Sequence, residues 1–190
     1  MDEMEVRSMD IELRSEDTKD MIISGYAITF NSESRDLGGF KEIIDKRALD
    51  NLDLSDVALL YQHKPDDILA SSNSKTMTLQ VTEKGLYFRA ELANTQLGRD
   101  TYELIKRGDL KSMSFGFNVE KDDWNVRTTP HTRNIRKIKT LKELSIVTFP
   151  AYKSSSVAKR MLTNCTDLNK CMQKEVNQNL VEAKELLKNI

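Results

Sequence analysis

The chain has 190 residues, enough for one domain with a short appendage. Hydrophobic residues make up 38% and charged residues 31%, and the 29 basic and 30 acidic side chains nearly cancel, so no global field points to nucleic acid or a membrane surface. No apolar run reaches the length of about 18 residues that a membrane span needs, and the opening MDEMEVRSMDIELRSED lacks the apolar segment of a secretory signal, which makes an intracellular protein the expectation.

In chain order, residues 21–30, MIISGYAITF, read as a strand that ends in the breaker-rich NSESRDLGG. A short helix or turn is expected over Ile43–Leu52. VALLYQH is an apolar strand that ends on His63, and the following KPDD reads as a turn. KTMTLQVT and GLYFRAEL form a hairpin through Glu83-Lys84-Gly85, with Leu86, Phe88, Ala90 and Leu92 on one face. A helix follows, capped by Asn94 or Thr95, with Leu97, Thr101, Leu104 and Ile105 on one side and Gly108 at the left-handed C′ position.

The strand LKSMSFGFNVE comes next. Met113, Phe115, Phe117 and Val119 give it a core face, while Ser112, Ser114, Gly116 and Asn118 form a low, polar second face. The polar stretch DDWNVRTTPHTRNIRK separates it from a last strand, LKELSIVTF, before Pro150. Short strands with one internal helix predict a compact β-rich barrel or sandwich. Beyond Tyr152 the composition changes: residues 153–166 read as a linker. From Asp167 onward, Leu168, Met172, Val176, Leu180, Ala183, Leu187 and Ile190 form an amphipathic helical stripe that packs on its own domain, self-associates or docks on another protein.

The chemically useful side chains are few. Cys165 and Cys171 are spaced for neither a zinc site nor a redox motif and read as reduced thiols. The only histidines are His63 and His131. A serine nucleophile needs an adjacent base, commonly histidine, and a third group that fixes the imidazole. Ser114, His63 and Glu143 supply those residue types. Each also has an ordinary explanation: a solvent-facing strand serine, a strand-end histidine bonded to backbone or water, and a surface charge. No G-x-S-x-G elbow, glycine-rich phosphate loop or H-E-x-x-H metal motif is present.

Four segments in order resemble the tailed-phage prohead protease family, capsid maturation serine proteases related in fold to herpesvirus assemblin: ALLYQHKPDDILA, GLYFRAEL, TQLGRDTYELIKRGDL running into KSMSFGF, and LKELSIVTFPAY. The resemblance spans roughly Met21–Tyr152 and implies a herpesvirus-protease-like α+β fold: a mostly antiparallel β-barrel with surrounding helices. The protease domain would occupy 1–152, the linker 153–166 and a C-terminal amphipathic helix 167–190. It implies Ser114 as nucleophile, because the family's M-S-x-G-F pattern selects it over Ser112. His63 is then the general base and Glu143 the third member, with His131 as the alternative. Gly116 would leave room for an extended substrate. No cofactor and no metal are expected.

The implied substrates are the scaffold and the N-terminal region of the major capsid protein, together with the chain itself. Ser154–Arg160 is a candidate self-cleavage region. The site of action would be the prohead inside the infected bacterial host, with a homodimer or higher oligomer and no nucleic-acid or membrane partner. The alternative is a catalytically silent assembly or scaffold protein of the prohead on the same fold.

Overall fold

A computed structural model of the chain describes residues 4–10, 13–15 and 20–148. The strands are β1 (Glu5–Asp10), β2 (Arg14–Ser15), β3 (Ile22–Thr29), β4 (Phe40–Ile44), β5 (Ala58–Tyr61), β6 (Lys64–Ser71), β7 (Met77–Val81), β8 (Gly85–Glu91), β9 (Ser112–Asn125) and β10 (His131–Val147), with one described helix, α1 (Gln96–Arg107). They form two sheets. The larger runs β1-β9-β10-β5-β6, with β4 also on β10; the smaller runs β2-β3-β8-β7. Pairing is antiparallel except that β4 and β5 lie parallel to β10, β4 against Arg133 and its neighbours and β5 against Glu143–Ile146. The 17-residue β10 is therefore the spine of the larger sheet.

The fold is β-rich, as expected, but the described strands make two sheets rather than a closed barrel, and α1 is the one helix among them. The expected linker and C-terminal helix lie outside the described residues. Apolar alternation builds the core: Ile23, Ile28, Leu86 and Phe88 from the smaller sheet meet Leu59, Met113, Phe115, Phe117, Leu144 and Ile146 from the larger, all in one buried cluster. Helix α1 adds Tyr102 and Ile105.

Helix α1 begins and ends where its caps dictate. Thr95 Oγ1 accepts from Gly98 N at 3.1 Å, and Gly108 sits at φ 83°, where its own N–H and that of Asp109 close the last turn on Ile105 and Leu104. The chain is thereby delivered straight into β9, the strand that carries Ser114.

Of the helix or turn expected over Ile43–Leu52, the turn is what forms, following the strand Phe40–Ile44. Two other expectations need correction. KPDD lies within β6; the turn is Gln62-His63, both at positive φ (54° and 60°), which closes a two-residue hairpin between Tyr61 and Lys64 in the manner of a type I′ turn. Pro65 is accommodated because the β5–β6 register shifts there. Finally, DDWNVRTTPHTRNIRK does not separate the last two strands but continues them into a long hairpin, whose polar faces pair as Arg133–Asp122, Arg136–Asp123 and Lys137–Glu120.

Candidate active site

The alternation of β9 and its pairing with β10 place the relevant residues on one sheet face. Glu143 stands opposite Gly116, and Ser145 opposite Ser114; Phe115 and Leu144 between them point into the core. His63 enters from the β5–β6 turn. Gln62 holds that turn to the end of β10, its N–H donating to Ile146 O at 3.0 Å and its Nε2 to Thr148 Oγ1 at 2.7 Å.

His63 and Glu143 meet. His63 Nδ1 lies 2.6 Å from Glu143 Oε1, with the imidazole 30% exposed and the carboxylate 9%. A carboxylate only accepts, so the proton of this bond sits on Nδ1, and in the neutral ring Nε2 is then the nitrogen that carries the lone pair. That is the tautomer a general base requires.

Gly116 makes the pairing sterically possible. A Cβ there would stand 2.8 Å from Glu143 Cγ, 3.0 Å from Oε1 and 3.2 Å from Met4 Sδ. The space above Gly116 is thus filled by the carboxylate arm, not kept open for a substrate strand as the sequence suggested.

Ser114 is on the expected strand and face, but that face is covered. Ser114 and Ser145 are fully buried and Ser112 is 2% exposed, against the expectation of a low, accessible surface. Ser114 Oγ donates to the carbonyl of Arg7 on β1 at 2.9 Å, so its hydroxyl leans toward β1 while His63 and Glu143 lie on the β10 side. Strand β1 accounts for part of this cover, pairing with β9 from Glu5↔Phe117 to Asp10↔Ser112.

His131 occupies another region. It begins β10, and its Nδ1 contacts Thr128 O at 3.0 Å. Twelve residue steps along β10 separate it from Glu143, up to roughly 40 Å at about 3.4 Å per step. The alternative of His131 in the Glu143 position therefore lacks geometric support.

Beside β9 is a buried ionic cluster that no sequence motif announces. Arg7 binds Glu42 through Nε and Nη2 at 2.8 Å each and Glu5 at 2.7 Å; Arg133 Nη1 reaches Glu5 at 2.6 Å and Glu42 at 3.0 Å. Burial works against the Arg133 charge, but the bonds from Glu5 and the neighbouring Glu42 carboxylate outweigh it and hold the guanidinium above its ordinary range. The cluster ties β1 to β4 and β10. Its signal was the alternation of Glu5 and Arg7 with Val6 and Ser8 in the opening stretch.

Among the described residues no three His, Cys, Asp or Glu side chains gather as a metal site would require. No described helix is long and apolar enough to cross a membrane.

Residues 9–170 match the family model described as caudovirus prohead serine protease. Over 143 residues the chain is 34% identical to the prohead protease of Enterobacteria phage HK97, an alignment that covers 75% of this chain and 61% of that protein. Among solved structures, the bacteriophage T4 capsid assembly protease is similar at a TM-score of 0.49 and 12% identity, over 77% of this chain and 99% of the other.

Proposed function

The chain belongs to the caudovirus prohead serine protease family, and from that premise we propose that it is a serine endopeptidase of capsid maturation, with Ser114 as nucleophile, His63 as general base and Glu143 as the third member. The observation that carries this reading is the 2.6 Å contact between His63 Nδ1 and Glu143 Oε1, which leaves Nε2 to accept a proton beside the strand that bears Ser114.

In the arrangement described, the Ser114 proton is bonded to Arg7 O. Attack requires the hydroxyl to leave that carbonyl and turn toward β10. His63 Nε2 then takes the Oγ proton as Oγ bonds to the peptide carbonyl carbon, and Glu143 stabilises the imidazolium that forms. Collapse of the tetrahedral adduct breaks the C–N bond, and the departing amine takes the proton from His63. Water, deprotonated by the same imidazole, hydrolyses the acyl-enzyme and restores Ser114. Backbone N–H groups would hold the oxyanion.

The substrates follow from the family. They are the scaffold and N-terminal region of the major capsid protein, inside the prohead in the infected host, and the chain's own linker near Ser154–Arg160. A protease domain over 1–152 with a removable C-terminal helix, acting as a homodimer or higher oligomer, fits that task. Co-expression with the cognate capsid protein tests the reading. The parent chain should shorten the shell subunit, and Ser114→Ala should leave it at full mass. An unshortened subunit in both cases would favour the silent assembly protein.

A further inference from the structure

Ser145 combines three features that no role assigned above uses. It is fully buried, its Oγ finds no hydrogen-bond partner among the described residues, and it stands directly opposite Ser114 on the same sheet face. A buried hydroxyl without a partner is unfavourable, and an alanine or valine would avoid the penalty. Retaining the hydroxyl is understandable if its partner arrives in another arrangement of the site.

The geometry supplies that partner. Ser114 lies between Ser8 of β1 and Ser145 of β10, and its hydroxyl leans toward β1, bonded to Arg7 O. His63 and Glu143 are on the other side. When Ser114 turns from β1 to β10 it loses its acceptor at Arg7 and approaches Ser145. Directly opposed residues on one sheet face have Cβ atoms about 4.5–5.5 Å apart, so rotation about χ1 brings two serine hydroxyls within bonding distance.

We propose that Ser145 is a positioning residue for the reaction: its Oγ–H donates to Ser114 Oγ in the attacking rotamer and holds that hydroxyl toward His63, while the Ser114 proton points at Nε2. Each group is then satisfied, since a serine oxygen accepts one bond while donating another. No bond is made or broken by Ser145; it selects one of two rotamers of the nucleophile. The inference rests on the reading of Ser114 as nucleophile.

The test is the rate at which an alkyl fluorophosphonate modifies the full-length chain, with the adduct located by peptide mass. Parent, Ser145→Ala, Ser145→Thr and Ser145→Val are compared, Thr and Val being nearly isosteric and differing in the hydroxyl. Ala and Val should label Ser114 about tenfold more slowly, the scale of one lost hydrogen bond, and Thr should stay within about threefold of the parent. The melting temperature of Ser145→Ala should be unchanged or higher, because an unpartnered hydroxyl has been removed. Equal labelling of parent and Ser145→Ala overturns the inference and leaves Ser114 as the nucleophile. Equal slowing of Thr and Val also overturns it, by assigning Ser145 to packing; if neither folds, parent against Ala decides. Absence of any adduct on Ser114 in the parent overturns the serine-protease reading and this inference with it.

Discussion

Gly116 and Glu143 face each other across β9 and β10 so closely that a methyl group on Gly116 would stand 2.8 Å from Glu143 Cγ. Gly116→Ala therefore must push the carboxylate arm off its contact with His63 or force the strands apart. A misplacement of about 1 Å in a catalytic constellation can lower the rate about 10²-fold. We expect a loss of shell-protein processing on that scale, with a stability change of about 1–3 kcal/mol from overpacking, read by a processing time course beside a urea titration.

Glu143→Gln keeps an oxygen near His63 Nδ1 but removes the charge that, in the proposed mechanism, stabilises the imidazolium, and its amide can also present N–H to the ring and favour the wrong tautomer. Processing should fall about 10²–10⁴-fold. His131→Ala should leave the same rate within about twofold, because His131 bonds at the far end of β10.

Arg133 bridges Glu5 and Glu42 in the buried cluster that fastens β1 beside β9. Arg133→Met leaves two buried carboxylates to share Arg7. Removing one partner of a buried ion pair typically costs about 3–5 kcal/mol, so the urea midpoint should drop sharply. A midpoint equal to that of the parent would show that the cluster contributes nothing to holding β1.

Asp36 gives a pH prediction. Its Oδ1 accepts from Gly39 N and Gly38 N at 2.7 Å each, and these bonds hold its carboxyl below the ordinary aspartate range. A depressed native value means the unfolded chain binds the proton more readily, so stability rises with pH in this window. The contribution is present above about pH 4 and is lost as pH falls through the lower native value. Asp36→Asn, which resembles the protonated carboxyl at every pH, should flatten the acid limb of a stability-against-pH curve by lowering the neutral region slightly while leaving the most acidic region nearly unchanged; an unaltered acid limb would contradict this.

Much of the fold was legible because its signals are local. The alternation of Leu86, Phe88, Ala90 and Leu92, the Thr95 cap and the left-handed Gly108 each depend on a few adjacent residues, and each lies where the pattern put it. The hairpin at Gln62-His63 was hidden because the pair lacks the Asn, Asp or Gly that two-residue hairpin turns favour, while Lys64-Pro65-Asp66-Asp67 has ordinary turn composition. The polar half of the β9–β10 hairpin was hidden because cross-strand ion pairs line one side and its apolar contacts, Trp124 on Phe40 and the buried Ile135, are too sparse to read as an alternating pattern. At the site, Ser114, His63 and Glu143 were chosen by residue type and resemblance. The burial of Ser114 and its bond to Arg7 depend on β1, more than 100 residues away in sequence, which no local pattern could announce.

The central claim is that Ser114 is the nucleophile and that His63, held by Glu143, activates it. It is tested most directly by treating the full-length chain with an alkyl fluorophosphonate and mapping the adduct by peptide mass spectrometry, which separates Ser112 from Ser114. The account predicts a single adduct on Ser114 in the parent, abolished in Ser114→Ala and strongly slowed in His63→Ala, with Ser112→Ala labelled like the parent. An adduct on Ser112, or one on Ser114 formed at the same rate without His63, would contradict it.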